Sequence, residues 1–164
     1  NFSKDFNDLI RARGFAPDGF AIEILESILI ETRDDPAVRT MHELSEAGFE
    51  LHIDDFGTGY ASLASVVRLK ADALKIDKSL VHDIQNTRTQ RVIGAIHSMA
   101  KGTNMRLIAE GAETRDHIHH LRGMDVDEVQ GYKIAVPMPA SELRNWMDAR
   151  DLSNWGQEGT GQVA

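Results

Sequence analysis

The sequence predicts an α/β fold built from repeated strand–helix units with parallel strands. Short apolar, β-prone segments alternate with segments whose apolar residues recur at helical spacing. Helical crossovers of this kind join parallel strands. Acidic or amide residues follow the ends of successive strands, where a (β/α)8 barrel forms its active site. A doubly wound sheet shows the same alternation, but no Gly-x-Gly-x-x-Gly follows the first strand, so a barrel is favoured.

The chain is predicted to begin with a short amphipathic helix over 4–13, which has Phe6, Leu9 and Ile10 on its apolar face and ends before Gly14 and Pro17. Strands are predicted from apolar, β-prone runs at 20–25, 49–54, 73–77, 105–109 and 127–134. Further helices are predicted at 35–47, 61–69, 87–101, 114–122 and 141–150. Gly48 and Gly123 fit helix C-termini, and Thr114 and Ser141 fit N-caps.

The length of the chain limits the fold. Its 164 residues suffice for one domain with its own core, but a whole (β/α)8 barrel has about 200–250. We therefore predict one incomplete barrel domain over 1–150 and a flexible, Gly- and Gln-rich tail over 151–164. An open barrel leaves strand edges unpaired, so we expect a homo-oligomer through the open edge or a longer parent protein.

The composition excludes several classes of function. The chain has 18 Lys and Arg against 26 Asp and Glu, a formal charge of −8, which is a poor match for duplex nucleic acid. No apolar run reaches the length of a membrane span, so no span is expected within the chain. Cysteine is absent, which excludes disulfides and thiolate metal sites and fits the cytoplasm. An acidic protein that binds phosphate needs a cation at the site, for which a divalent metal is suited.

The strongest candidate site is Asp54-Asp55, which ends the second predicted strand. Adjacent carboxylates of a strand face different directions, so this pair could serve two metals. Paired cations cleave phosphodiesters, and oxygen ligands suit Mg²⁺ or Mn²⁺. An isolated Asp-Asp pair would more simply cap the following turn. Because Glu23, Lys75 and Glu110 lie at equivalent strand ends, a metal site is the preferred interpretation.

Several segments, in this order along the chain, resemble the motifs of the EAL family of cyclic di-GMP phosphodiesterases. They are Glu23-Ile24-Leu25-Glu26-Ser27, Ile53-Asp54-Asp55-Phe56-Gly57-Thr58-Gly59-Tyr60-Ala61-Ser62-Leu63, Leu74-Lys75-Ile76-Asp77, Ile108-Ala109-Glu110-Gly111-Ala112-Glu113-Thr114, and Gln130-Gly131-Tyr132 with Pro137-Met138-Pro139. The resemblance spans about 23–147. It implies a partial (β/α)8 barrel, a two-metal site with Mg²⁺ or Mn²⁺, and hydrolysis of cyclic di-GMP to linear pGpG in bacterial signalling.

The resemblance also implies roles for individual residues. Glu23 and Asp54 would ligate one metal, and Asp54 would bridge to a second metal bound by Asp55. Lys75 would lie beside the attacking water and a substrate phosphate, where an ammonium stabilises developing negative charge. Glu110 would act on that water as general base or as a metal-shell ligand.

Three more residues take roles by resemblance. Gln130 would contact the substrate or the waters around the metals. Glu26 and Glu113 would position the loop from Asp55 to Tyr60. Structural roles are the alternatives at these strand ends: a surface Lys75, a helix cap at Glu110 and a turn amide at Gln130.

The chain departs from the family upstream. The Glu-Ala-Leu segment of the family lies on an earlier strand, so we expect a truncated barrel that lacks the first βα units and one metal ligand. Asn1 resembles the Asn of an Asn-Leu-Ser-like strand end, and it is either a metal ligand or part of a frayed terminus. Three hypotheses therefore stay open: a phosphodiesterase, a non-catalytic module that binds cyclic di-GMP or a protein, and an assembly-only remnant.

Overall fold

A computed structural model of the chain describes residues 1–30, 36–57 and 63–149. The strands are β1 (Ala21–Leu25), β2 (Glu50–Phe56), β3 (Ala73–Ile76), β4 (Arg106–Ala109) and β5 (Glu128–Val129). The α-helices are α1 (Phe2–Ala12), α2 (Pro36–Glu46), α3 (Leu63–Leu69), α4 (Lys78–His82), α5 (Thr87–Gly102), α6 (Arg115–Gly123) and α7 (Ala140–Asp148). Short 3-10 helices lie at Pro17–Gly19 and Glu26–Ile30.

The strand order resolves the choice between the two α/β architectures. All neighbouring strands are parallel and follow one another in the order β1-β2-β3-β4-β5. A doubly wound sheet reverses its strand order at a switch point, whereas a barrel adds each strand on the same side of the last. The predicted barrel-type winding is thus confirmed, and β1 and β5 form the edges of the described sheet.

One face of the sheet supplies the hydrophobic core. Alternate strand residues, among them Leu51, Ile53, Leu74 and Ile76, are fully buried in a cluster with residues of the surrounding helices. The opposite face is polar. Arg106 of β4 pairs there with Glu50 of β2, reaching past β3, whose residue at that register is the small Ala73.

Most predicted elements are confirmed, and the differences have local causes. Helix α4 was not predicted because five residues are too few to show helical periodicity. It is N-capped by Asp77, whose side chain accepts a hydrogen bond from the Ser79 N–H. Helix α7 is N-capped by Pro139, with no side-chain hydrogen bond, rather than by Ser141. Leu9, which was assigned to the apolar face of the first helix, is exposed.

The last strand is shorter than predicted. It spans Glu128–Val129, because the chain turns at Gly131, where Ile134 N–H donates to the Gly131 carbonyl over 2.9 Å. A Cβ at Gly131 would lie 2.3 Å from the Ala112 backbone nitrogen, so this turn crosses the segment that follows β4 at close range.

The predicted tail over 151–164 lies outside the described residues. In the described part of the chain, no helix has the length and apolar character needed to cross a bilayer.

Two aspartates secure the N-terminal ends of the strands in the same way. Asp72 precedes β3 and accepts a hydrogen bond from the Leu51 N–H of β2 over 2.8 Å. Asp127 precedes β5 and accepts one from the Leu107 N–H of β4, also over 2.8 Å. Burial opposes ionisation of Asp127, but the Leu107 N–H and Lys101 outweigh it and lower the pKa of its carboxyl.

We expect Asp127→Ala to lower the free energy of unfolding by about 1–2 kcal/mol, because the Leu107 N–H loses its acceptor. Asp127→Asn keeps an acceptor oxygen and should lose less. The folded pKa is depressed, so the stabilisation is present above the ordinary pKa of about 4 and is lost as the pH falls through the lowered value. Urea unfolding at pH 7 and pH 3 measures both effects; a difference that does not shrink at pH 3 would contradict this account.

Candidate functional site

The buried ammonium of Lys75 lies among three carboxylates that come from three different strands or strand ends. Its Nζ is 2.5 Å from Glu23 Oε1, 3.0 Å from Asp54 Oδ1 and 2.5 Å from Glu110 Oε1. Glu23 belongs to β1, Asp54 to β2, and Glu110 directly follows β4. The parallel strands therefore bring four of the predicted residues to one point at their C-terminal ends.

The charge of Lys75 is fixed by these neighbours. Burial alone would lower the pKa of Lys75, but its contacts with the carboxylates of Glu110, Glu23 and Asp54 outweigh burial and raise the pKa above its ordinary value. These carboxylates therefore favour the ammonium form of Lys75, which can stabilise negative charge.

A β-bulge turns Asp54 and Asp55 toward the same site. Between Ile53 and Phe56, three steps along β2 match two steps along β3, from Leu74 to Ile76. Asp55 occupies the extra position with a left-handed φ of 54°, a conformation that Asp tolerates better than most residues. We had expected adjacent carboxylates to face different directions, as in a regular strand. Instead, Asp54, Asp55 and Glu110 each offer an oxygen within 4.8 Å of the others.

Asp77 is a further acidic neighbour of the site, which the sequence analysis placed in a motif without giving it a role. Burial, and then the charges of Asp54 and Asp77, raise the pKa of Asp55. For Asp77, burial is outweighed by hydrogen bonds from Ser79, so the pKa of Asp77 is lowered. Its position directly after β3, two residues beyond Lys75, was the available indication.

The residues present fit a divalent cation. Asp54 Oδ1 is buried and has no hydrogen bond of good geometry, although Lys75 Nζ lies 3.0 Å away. Glu23, Asp54, Asp55 and Glu110 carry four negative charges against the one positive charge of Lys75, a surplus of three. Hard carboxylate oxygens of this kind are the ligands that Mg²⁺ and Mn²⁺ prefer.

The residues predicted to position the loop after Asp55 lie in different surroundings. Glu26 is buried and accepts a hydrogen bond from the Gly57 N–H over 3.1 Å, at the start of that loop. Glu113 is half-exposed, and its Oε1 lies 3.6 Å from His82 Nε2. The rest of the loop, 58–62, lies outside the described residues.

Two other predicted site residues are placed at the periphery. Gln130 is exposed, and its backbone bonds to both Ala109 and Ala112, next to Glu110. Asn1 is the N-cap of α1: its Oδ1 accepts from the Ser3 N–H and its Nδ2 donates to Glu43. Both polar ends of the Asn1 side chain are thus engaged between α1 and α2, where Asn1 acts as a helix cap.

Comparison with known proteins agrees with this geometry. Residues 1–137 match the EAL domain family. The chain is 38% identical over 126 residues to the cyclic di-GMP phosphodiesterase PdeR of Escherichia coli (strain K12), covering 76% of this chain and 19% of that protein. The chain therefore spans about a fifth of the length of this curated relative.

Two solved structures are also similar. The phosphodiesterase PaMucR in its c-di-GMP complex superposes with a TM-score of 0.76 at 31% identity, covering 83% of this chain and 55% of that one. Klebsiella pneumoniae BlrP1 in its manganese and cy-diGMP complex superposes with a TM-score of 0.74 at 30% identity, covering 80% of this chain and 34% of that one. These likenesses support a partial barrel of the same fold for this chain.

We expect Lys75→Met to lower the free energy of unfolding in EDTA by about 2–4 kcal/mol, because it leaves the carboxylates without their shared cation. This expected loss of stability is smaller than the loss for a fully buried ion pair, because Glu23 is half-exposed. Mn²⁺ should then stabilise Lys75→Met more than it stabilises the native chain, since no ammonium competes for the same oxygens.

Urea unfolding in EDTA and in Mn²⁺ measures both quantities. Lys101→Met is the control, because Lys101 is exposed and pairs with the single carboxylate of Asp127; it should change stability far less. Equal stability of the two variants in EDTA would show that the carboxylates do not depend on Lys75.

Proposed function

Because the chain belongs to the EAL domain family, we propose that it carries the cation-binding and phosphate-binding residues of a metal-dependent cyclic di-GMP phosphodiesterase. The observation that carries this proposal is the convergence of Glu23, Asp54 and Glu110 on Lys75, with Asp55 beside them. We place this activity in the cytoplasm, the reducing compartment that the absence of cysteine suits.

The proposed division of labour follows the geometry. Asp54, Asp55 and Glu110 would hold the metal, Mg²⁺ or Mn²⁺, with Glu23 as a further carboxylate of the same group. When bound, the cation supplies Lewis-acid stabilisation of the charge on a phosphodiester. The Lys75 ammonium would contribute a positive charge beside the carboxylates, inside a partly buried site where it is worth more than in water.

The reaction needs one attacking water and one leaving oxygen. The water oxygen attacks one phosphorus of the cyclic dinucleotide, the bond from that phosphorus to a ribose oxygen breaks, and the ribose oxygen takes up a proton, giving linear pGpG. As the alternative to holding the metal, Glu110 would accept the proton of the water, and its carboxylate is partly exposed. Gln130, at the rim, would contact the nucleotide.

We expect any conversion of cyclic di-GMP to pGpG in Mg²⁺ or Mn²⁺ to depend on Asp54, so that Asp54→Asn lowers turnover by about 100-fold or more, because a carboxylate of the proposed metal group loses its charge. Chromatography of the products measures turnover, and calorimetry measures binding. Glu142→Gln, on the exposed face of α7, is the control. Binding without turnover would favour the alternative, a receptor module, and neither binding nor turnover would contradict both.

We further propose that the open edges of the sheet pair with a second copy of the chain. In the described sheet, β1 and β5 each have one neighbour, and the β1 edge carries Leu25, which is about half exposed. An exposed apolar edge strand is a template for pairing.

Light scattering should therefore give a mass above 18.2 kDa that rises with concentration. Leu25→Lys should shift the chain toward monomer, because a charge at an edge strand opposes pairing. Val67→Lys, at an equally exposed apolar residue on α3, is the matched control and should leave the mass unchanged. A native mass that stays at the monomer value at all concentrations would contradict the pairing.

A further inference from the structure

Two histidines from different helices contact the backbone of the segment that follows Glu110. His82, the last residue of α4, lies with its Nε2 3.2 Å from the Gly111 carbonyl oxygen. His117, in the first turn of α6, accepts a hydrogen bond at Nδ1 from the Glu113 N–H over 3.3 Å. The two imidazole rings face each other with centroids 5.6 Å apart. We call these two residues the histidine clamp.

The partners of the clamp fix the tautomer of each ring. A carbonyl oxygen only accepts, so His82 must carry its proton on Nε2 to form its bond. A backbone N–H only donates, so His117 must keep Nδ1 unprotonated and carry its proton on Nε2. Each ring thus presents one defined nitrogen to the backbone of 111–113.

The segment 111–113 is also closely packed on its other sides. Gly111 has a left-handed φ of 71°, and a Cβ there would lie 2.6 Å from Lys78 Cβ on α4. Ala112 is buried; its N–H donates to the Gln130 carbonyl over 3.1 Å, and its carbonyl accepts from the Lys133 N–H over 2.8 Å. Helix α4, helix α6 and the end of β5 therefore all meet on the three residues after Glu110.

We propose that His82 and His117 are positioning residues for Glu110. By holding Gly111 and Glu113, they set the direction in which the backbone leaves β4, and so keep the Glu110 carboxylate beside Lys75 and Asp54. The catalytic consequence of this inference rests on the proposed metal-dependent function, whereas the clamp itself is a property of the metal-free chain. Outer groups that hold metal ligands typically contribute about 10–100-fold to metal affinity.

The test compares variants that keep or lose the hydrogen bond. His82→Leu and His117→Leu remove it, while His82→Gln and His117→Gln retain an amide that can donate to Gly111 or accept from Glu113. His119→Leu is the control, because His119 is exposed on the same helix as His117. Amide hydrogen exchange of 111–113 is followed by NMR in EDTA, and Mn²⁺ affinity is measured by calorimetry.

We expect each Leu variant to raise amide exchange within 111–113 by about tenfold and to weaken Mn²⁺ binding by about tenfold. The Gln variants and His119→Leu should stay within about twofold of the native chain. The nitrogen shifts of the native imidazoles should report a proton on Nε2 in both rings.

Three results would overturn the inference: Leu variants that match His119→Leu, Gln variants as impaired as the Leu variants, or a native His117 protonated on Nδ1. His117 is buried, and its Leu variant could fail to fold. The comparison of His82→Leu with His82→Gln is then sufficient to test the inference, because His82 is exposed. A native chain that binds no Mn²⁺ would refute the proposed function, and amide exchange in EDTA would then decide the clamp alone.

Discussion

The site depends on one electrostatic arrangement, a single buried ammonium shared by carboxylates from separate strands. Without Lys75, Glu23, Asp54 and Glu110 would repel one another at a distance where the interior of a protein screens charge poorly. With it, they are held within 3.0 Å of one cation, yet negative charge remains in excess. The ammonium therefore keeps the site assembled without neutralising it, and the surplus charge attracts a divalent cation.

At the opposite end of the sheet, near the N-terminal ends of the strands, the carboxylates have structural partners. Glu50 and Glu128 both pair with Arg106, and Asp127 pairs with Lys101 and with a strand amide. At the C-terminal end, by contrast, Asp54 shares the single cation Lys75 with two other carboxylates, and the charges of Asp54 and Asp77 raise the pKa of Asp55. Carboxylates are thus balanced at one end of the sheet and in excess at the other, which is the usual division between the stabilising and functional faces of barrel-type folds.

Much of this could be predicted from the sequence because parallel strands impose a simple rule. Polar residues at successive strand ends converge, so Glu23, Asp54, Lys75 and Glu110 were identifiable from their positions alone. Strand pleat, however, separates neighbouring side chains, and the bulge that reunites Asp54 with Asp55 depends on the pairing of β2 with β3. Asn1 illustrates the other limit, since a motif resemblance at a chain terminus does not exclude a helix cap.

Helix α4 shows why the residues that hold the candidate ligands in place are hard to predict from the sequence. Its five residues have no periodicity to detect, and His82 acquires its partner only because α4 folds back onto the segment after β4, 29 positions along the chain. That return also accounts for Gly111, since any side chain there would meet Lys78. A helix that follows the preceding strand, β3, thus contacts the segment directly after Glu110. Predicting ligands requires only strand ends, whereas predicting what holds the ligands requires the three-dimensional path of the loops between them.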